Sequence, residues 1–107
     1  MQIDINDTDL TFGHALEALK AGRAVARKGW NGKGMFIYLI KGRSIPAEKF
    51  HAHKNEANKF YATEGDVVLT DHIDMKAADG TYVTGWLASQ TDMLAEDWEI
   101  IKTEKND

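Results

Sequence analysis

The sequence predicts an α+β fold, in which an antiparallel sheet of four to five strands packs against two to three helices. Apolar residues recur at helical spacing over residues 12–21, and polar and apolar residues alternate along residues 66–77. An Asp79-Gly80 pair, typical of a hairpin turn, separates that alternating segment from a second one. Helices and hairpin-linked strands within one short chain favour a single sheet with helices on it.

The first predicted element is a helix over residues 12–21. Thr11 can cap its start, its apolar residues follow the i, i+3, i+4, i+7 pattern, and Gly22 can take the left-handed conformation that ends a helix. His14 lies inside this helix with no second metal ligand at helical spacing. We therefore expect an ordinary surface or partner-bonded histidine there.

Residues 24–28 and 35–40 predict the next two strands. Between them, the Asn31-Gly32 pair fits a tight hairpin, whereas three glycines within residues 29–34 favour a longer, shaped loop. Residues 35–40 are an unbroken apolar run, which predicts burial on both faces, beneath helices or against another subunit.

Residues 44–46 are typical of a helix entry, and an imperfect apolar stripe extends that predicted helix to residue 61. On a helix, His51 and His53 would point about 200° apart, which argues against a metal site. We expect no metal and no cofactor.

The second half predicts two paired strands, a short helix and a last strand. Residues 66–77 predict one continuous strand, and residues 81–87 predict its hairpin partner. Ser89, followed three residues later by Asp92, resembles a capping box that opens a helix through residue 95. Residues 97–102 predict the final strand, with Trp98 in the core.

Size and composition exclude several classes of protein. The 107 residues leave room for one domain, with residues 1–10 and 103–107 as expected loose ends. A net charge of −4 excludes a general coat for DNA or RNA, and the absence of Cys excludes disulfides and thiolate chemistry. With no signal peptide and no apolar run near the roughly 20 residues of a membrane span, we expect a soluble cytoplasmic protein.

Two loops concentrate residues that a simple core does not require. In the Gly-rich loop, the Trp30 ring could stack on a nucleobase, which contributes about 1–3 kcal/mol, or it could cover the edge of the core. After Trp86, the residues Ser89 to Asp92 offer hydroxyls, an amide and a carboxylate beside the free N–H groups of a helix start. These groups could bind a nucleotide, with Arg27 or Lys33 contacting its phosphate, or they could serve only to cap the helix.

Catalytic arrangements are weaker in this sequence. Asp71 and Asp74 face opposite sides of a strand, and Glu96 and Asp97 are adjacent, so neither pair converges through local geometry. The chain contains no nucleophile elbow, phosphate loop or zinc-protease motif. We therefore expect these carboxylates to lie on solvated faces of the protein.

Four ungapped segments carry a family resemblance: residues 11–20, 25–35, 75–81 and 85–98. These segments resemble the small phage proteins known as Thoeris anti-defense proteins of the second type. Residues 45–68 show no such match. The resemblance implies a sponge that binds cyclic ADP-ribose signals made by a bacterial TIR-domain sensor and withholds them, uncleaved, from the effector.

The same resemblance implies a homotetramer with pockets between subunits, in the cytoplasm of the bacterial host, and in some members a separate site for cyclic oligonucleotides. The matching positions expected to contact ligand are Trp30, Asn31, Trp86, Ser89, Thr91 and Asp92. Arg27 and Lys33 are the expected phosphate contacts. Two alternatives stay open: a phosphodiesterase or glycohydrolase that uses Asp92 or Glu96, and an inhibitor that binds a host protein through residues 35–40.

Overall fold

The structure, a computed structural model, describes residues 7–50 and 65–102. These residues fall into two compact units, one within Met1–Ile40 and His72–Asp107 and the other within Lys41–Asp71. The elements are α1 (Phe12–Lys20), β1 (Ala24–Arg27), β2 (Phe36–Ile40), β3 (Arg43–Pro46), α2 (Ala47–Phe50), β4 (Asp66–Leu69), β5 (His72–Lys76), β6 (Tyr82–Val83), α3 (Gln90–Leu94) and β7 (Trp98–Ile101). Among them, no helix is long and apolar enough to span a membrane.

The first unit contains a five-stranded antiparallel sheet in the order β6-β5-β2-β1-β7, and the second contains the two-stranded sheet β3-β4. The predicted α+β class is confirmed. Val25 of β1 pairs with Ile37 on one side and Ile100 on the other, so the three side chains form a row on one face. This row and the fully buried Trp98 pack with α1 in the core.

Helix α1 begins and ends as its sequence predicts. The Thr11 hydroxyl accepts a hydrogen bond from the His14 backbone, and the His14 ring faces the Thr11 N–H at 3.3 Å, which completes a capping box. The prediction of a partner-bonded His14 is therefore confirmed. Gly22 has a φ of 88°, the left-handed conformation expected after the helix end.

Residues before α1 are joined to the sheet. Leu10 and Trp98 exchange backbone hydrogen bonds of 2.9 and 3.1 Å, and the Ile100 N–H donates to the Asp7 carbonyl. The part of the expected loose amino-terminal end that the structure describes from Asp7 onward is thus held along β7.

The prediction of one strand over residues 66–77 is wrong. The segment forms two strands in different sheets, because β4 pairs with β3 whereas β5 pairs with β2. They separate at Thr70 and Asp71, where the Asp71 carboxylate accepts a 2.7 Å hydrogen bond from the Gly42 N–H. Alternating polarity marks both strands equally, so it does not reveal the break between them.

The helix entry predicted at residues 44–46 is also wrong, since these residues lie in β3 and α2 begins at Ala47. Pro46 ends that strand, a position where its missing N–H is tolerated. The remainder of the predicted helix, with His51 and His53, lies outside the described residues.

The predicted strand over residues 81–87 is correct only at Tyr82 and Val83. At Gly85, φ is 85° and the N–H donates to the Asp74 carboxylate at 2.8 Å, so the chain leaves the ladder. Trp86 then packs against the core, whereas the next residue, Leu87, is 89% exposed. A glycine with positive φ breaks the alternation of side chains that a regular strand would maintain.

Candidate functional site

A groove of about 650 Å³ lies beside β1, β2, β7 and the loop between β1 and β2. Its lining residues are Ala26, Arg27, Lys28, Trp30, Asn31, Gly32, Lys33, Gly34, Met35, Phe36, Lys76, Glu99 and Ile101. Four predicted ligand contacts, Arg27, Trp30, Asn31 and Lys33, are in this lining. The other four, Trp86, Ser89, Thr91 and Asp92, are not.

The floor of the groove is a row of directly paired residues across four strands. Lys76 pairs with Phe36, and Ala26 pairs with Glu99. Because Val25 pairs with Ile37, the antiparallel register places Ala26 beside Phe36. The row Lys76-Phe36-Ala26-Glu99 therefore lies on the sheet face opposite α1 and the core.

The residues of this row differ in length and charge. The Lys76 ammonium lies 5.8 Å from the centroid of the Phe36 ring and donates to the Gly34 carbonyl at 3.3 Å. Ala26, which is buried and has only a methyl group, lies between Phe36 and Glu99 in this row. The groove thus has an ammonium on one side and a carboxylate on the other.

Next to the groove, Arg27 is held by two carboxylates. Its Nε donates to Asp97 Oδ1 at 2.8 Å, and its Nη1 donates to Asp92 Oδ1 at 3.0 Å. The hydrogen bond that Arg27 donates to Asp97, together with the one it donates to Asp92, outweighs the effect of burial and raises the pKa of Arg27 above its ordinary value. Because the guanidinium is bonded to two carboxylates, it is not a free ligand for phosphate. The predicted contact between Arg27 and phosphate stays a prediction.

Asp92 is the buried charged residue of the described chain, at 9% exposure. Its carboxylate accepts hydrogen bonds from Arg27, from Trp30 Nε1 at 3.1 Å and from the Ser89 N–H at 3.3 Å. Burial alone would raise the pKa of Asp92, but these hydrogen bonds together lower it. With the Ser89 hydroxyl accepting from the Asp92 N–H, the predicted capping box of α3 is confirmed.

Asp97 belongs with Arg27 and Asp92 to one group of bonded charged side chains, and the sequence did not indicate its role. It accepts two hydrogen bonds from Arg27 and one of 2.8 Å from the Gly29 N–H, and the Arg27 bond is the main cause of its lowered pKa. A Cβ on Gly29 would lie 2.8 Å from Asp97 Oδ2, so only glycine fits without a shift. Asp97 becomes recognisable only once the register that pairs Arg27 with Trp98 is known.

Trp30 belongs to both the groove and the core edge. Its ring centroid lies 6.2 Å from that of Trp86 and 5.4 Å from that of Trp98, both in edge-to-face geometry. The sequence left two roles open for Trp30, and its position is compatible with both. Trp86 contacts the Trp30 ring but does not line the groove.

The structure thus brings the two predicted loops together through Asp92, which joins the cap of α3 to Arg27 and Trp30. Asn31 and Lys33 are exposed on the groove rim, and Thr91 is exposed on α3. Within residues 7–50 and 65–102, no group of three or more His, Asp or Glu side chains could hold a metal ion.

Residues 10–101 match the family model described as Tad2-like, the Thoeris anti-defense 2-like domain. A curated protein named Thoeris anti-defense 2, from Bacillus phage SP01, is 39% identical over 97 residues, which cover 88% of this chain and 97% of that protein. Both loops described above lie within the matched range.

Proposed function

The chain belongs to the Thoeris anti-defense 2-like family, which supports a role against Thoeris defense, and we propose that it acts by binding and sequestering a cyclic ADP-ribose signal without cleaving it. The observation that carries the proposal is the groove beside the Trp30 loop. Its volume of about 650 Å³ is within the range of about 300–1,000 Å³ typical of small-molecule sites.

The lining of the groove suits a nucleotide. Lys28, Lys33 and Lys76 provide ammonium groups for a diphosphate, and the aromatic side chains of Trp30 and Phe36 provide apolar surface for a base. With a net charge of −4, the protein as a whole does not attract an anion. Local cations in the groove supply that attraction instead.

The state of the acidic residues supports binding over hydrolysis. Asp92, one candidate for a catalytic base, is bonded to Arg27 and Trp30 and has a lowered pKa, so it is a poor proton acceptor. Glu96, the other candidate, is exposed and is not part of the groove lining. A ligand held between lysines and aromatic rings would therefore stay intact.

We also propose that the groove is completed by another copy of the chain, within a homotetramer. Holding a signal at nanomolar concentration requires about 12 kcal/mol of binding free energy. One or two stacked rings, at about 1–3 kcal/mol each, cannot supply it. Enclosure by groups from two subunits would provide the additional contacts.

A retention experiment tests the proposal. Purified protein is incubated with cyclic ADP-ribose isomers, including glycocyclic ones, freed of unbound ligand by gel filtration and then denatured by heat. We expect the released compound to co-elute with the input and to have its mass. Recovery of linear ADP-ribose would support the glycohydrolase alternative, and no retained nucleotide would support inhibition through a protein partner.

A further inference from the structure

We propose that Glu99 and Lys76 recognise opposite ends of the ligand, with the Glu99 carboxylate accepting hydrogen bonds from ribose hydroxyls and Lys76 donating to phosphate. This inference rests on the proposed function and deepens it. It defines the ligand of the groove as a phosphorylated nucleoside, as opposed to a simple polyanion.

The first argument is the geometry of the floor. Lys76 and Glu99 stand at the two ends of one row across β5, β2, β1 and β7. Three strand spacings of about 4.8 Å separate their backbones by about 14 Å. The Lys76 ammonium lies over the Phe36 ring, the short Ala26 side chain follows in the row, and Lys76 and Glu99 both line the groove. The two charges therefore face one groove without reaching each other.

The second argument is that the Glu99 carboxylate has no partner in the described part of the chain, where it forms neither a hydrogen bond nor an ion pair. Glu99 is of intermediate exposure and lines the groove, so its carboxylate is accessible to a ligand there. A ligand with adjacent hydroxyls offers two donors to its two oxygens, as riboses do with acidic residues elsewhere.

The third argument is that Lys76 is held in position but still has unused hydrogen-bond donors. One of its three N–H groups donates to the Gly34 carbonyl, and the ammonium contacts the face of the Phe36 ring. Two donors are left for an acceptor in the groove. Lys33, exposed on the rim of the same groove, provides a second cation for a diphosphate.

Asp92, which is among the residues expected to contact ligand, is the other candidate acceptor for ribose hydroxyls. Its oxygens already accept from Arg27, Trp30 and Ser89. Glu99, which lines the groove and accepts from no described donor, is the better placed carboxylate.

The test is whether removing the charge of Glu99 strengthens or weakens binding of the ligand. Glu99→Gln keeps the size of the side chain but removes its charge. If the groove held phosphates alone, loss of this negative charge would strengthen binding of the anionic ligand. If Glu99 accepts from ribose, binding weakens by about tenfold or more, as for other hydrogen bonds to charged groups. Titration calorimetry with the cyclic ADP-ribose isomer retained by the wild type measures the difference.

Matched controls separate local from general effects. Lys76→Gln is expected to weaken binding by about tenfold and to reduce its salt dependence. Glu17→Gln and Lys20→Gln, which change exposed side chains outside the groove lining, are expected to bind within about twofold of the wild type. Unchanged or tighter binding by Glu99→Gln overturns the inference.

A second measurement uses the unmodified protein. In ¹H–¹⁵N spectra, the ligand is expected to shift the amide signals of Ala26, Phe36 and Glu99. Shifts confined to α3 and its cap would overturn the inference while leaving sequestration intact. A wild type that retains no cyclic ADP-ribose isomer would instead overturn the proposed function, and this inference with it.

Discussion

Two sets of charged residues lie near the loop between β1 and β2, and they differ in whether their opposite charges are in contact. Beside the core, Arg27, Asp92 and Asp97 are bonded to one another, to Trp30 and to the Gly29 N–H. In the groove, Lys76 and Glu99 line the same space and do not pair, with their backbones about 14 Å apart. We call the first set the Arg27 cluster.

The difference indicates a division of labour between shape and binding. The Arg27 cluster has opposite charges in contact, so its carboxylates are ionised and its geometry is fixed before any ligand arrives. Pre-organisation of this kind reduces the cost of ordering a binding loop. The groove charges lack that mutual compensation, and a ligand can supply it. Substitutions in the cluster should therefore affect stability, and substitutions in the groove should affect affinity.

Asp92→Ala should produce the largest loss of stability. It removes the carboxylate half of the α3 capping box and the acceptor for Trp30 and Arg27, at a side chain that is 12% exposed. We expect the free energy of unfolding to fall by about 2–3 kcal/mol in urea denaturation. Glu99→Gln, in the groove, should change it by less than about 0.5 kcal/mol. Equal losses in the two variants would contradict the division of labour.

Gly29→Ala tests whether close packing against Asp97 holds the loop. The added Cβ would lie 2.8 Å from Asp97 Oδ2 and 3.0 Å from Arg27 Nη2, so the ion pair has to shift. We expect a loss of about 1–2 kcal/mol in stability and weaker ligand binding. The control is Gly13→Ala in α1, where the nearest atom to a new Cβ is 3.6 Å away. That variant should not be destabilised, and matching losses would show that the Asp97 contact is unimportant.

Trp30→Phe tests the hydrogen bond between the cluster and the groove wall. Phe keeps an aromatic ring but cannot donate to Asp92, which retains Arg27 and Ser89 as donors. We expect a loss of about 1 kcal/mol in unfolding experiments. Affinity for the retained cyclic ADP-ribose should also fall, because the ring is smaller and less firmly oriented. Unaltered affinity would mean that Trp30 serves the core alone.

The smallest expected effect is a change in the pH dependence of stability. The pKa values of Asp92 and Asp97 are lowered in the folded state, so the folded protein binds fewer protons than the unfolded chain in the acidic range. Stability due to these groups is fully present above the ordinary carboxyl pKa of about 3.9 and is lost as the pH falls through their lowered pKa values in the folded state. Asp97→Asn should flatten this loss, as measured by thermal unfolding at successive pH values. An Asp79→Asn control is useful because Asp79 also has a lowered pKa but is bonded only within its own turn, to Thr81.

The sequence by itself determined the features whose cause is local. The caps of α1 and α3 depend on side chains three residues apart, Thr11 with His14 and Ser89 with Asp92. The core position of Trp98 follows from strand periodicity and its apolar bulk. The α+β class follows from the same signals, because each helix or strand is marked within its own few residues.

Only the tertiary structure decided where the long-range partners lie. The Arg27 cluster joins residues 65 and 70 positions apart, and the groove row joins residues on four strands. Such contacts depend on strand register and on which sheet a strand enters, and hydrophobic alternation encodes neither. For the same reason, the pattern over residues 66–77 did not show its break, and Asp97 and Glu99 looked like ordinary surface carboxylates until their neighbours were known.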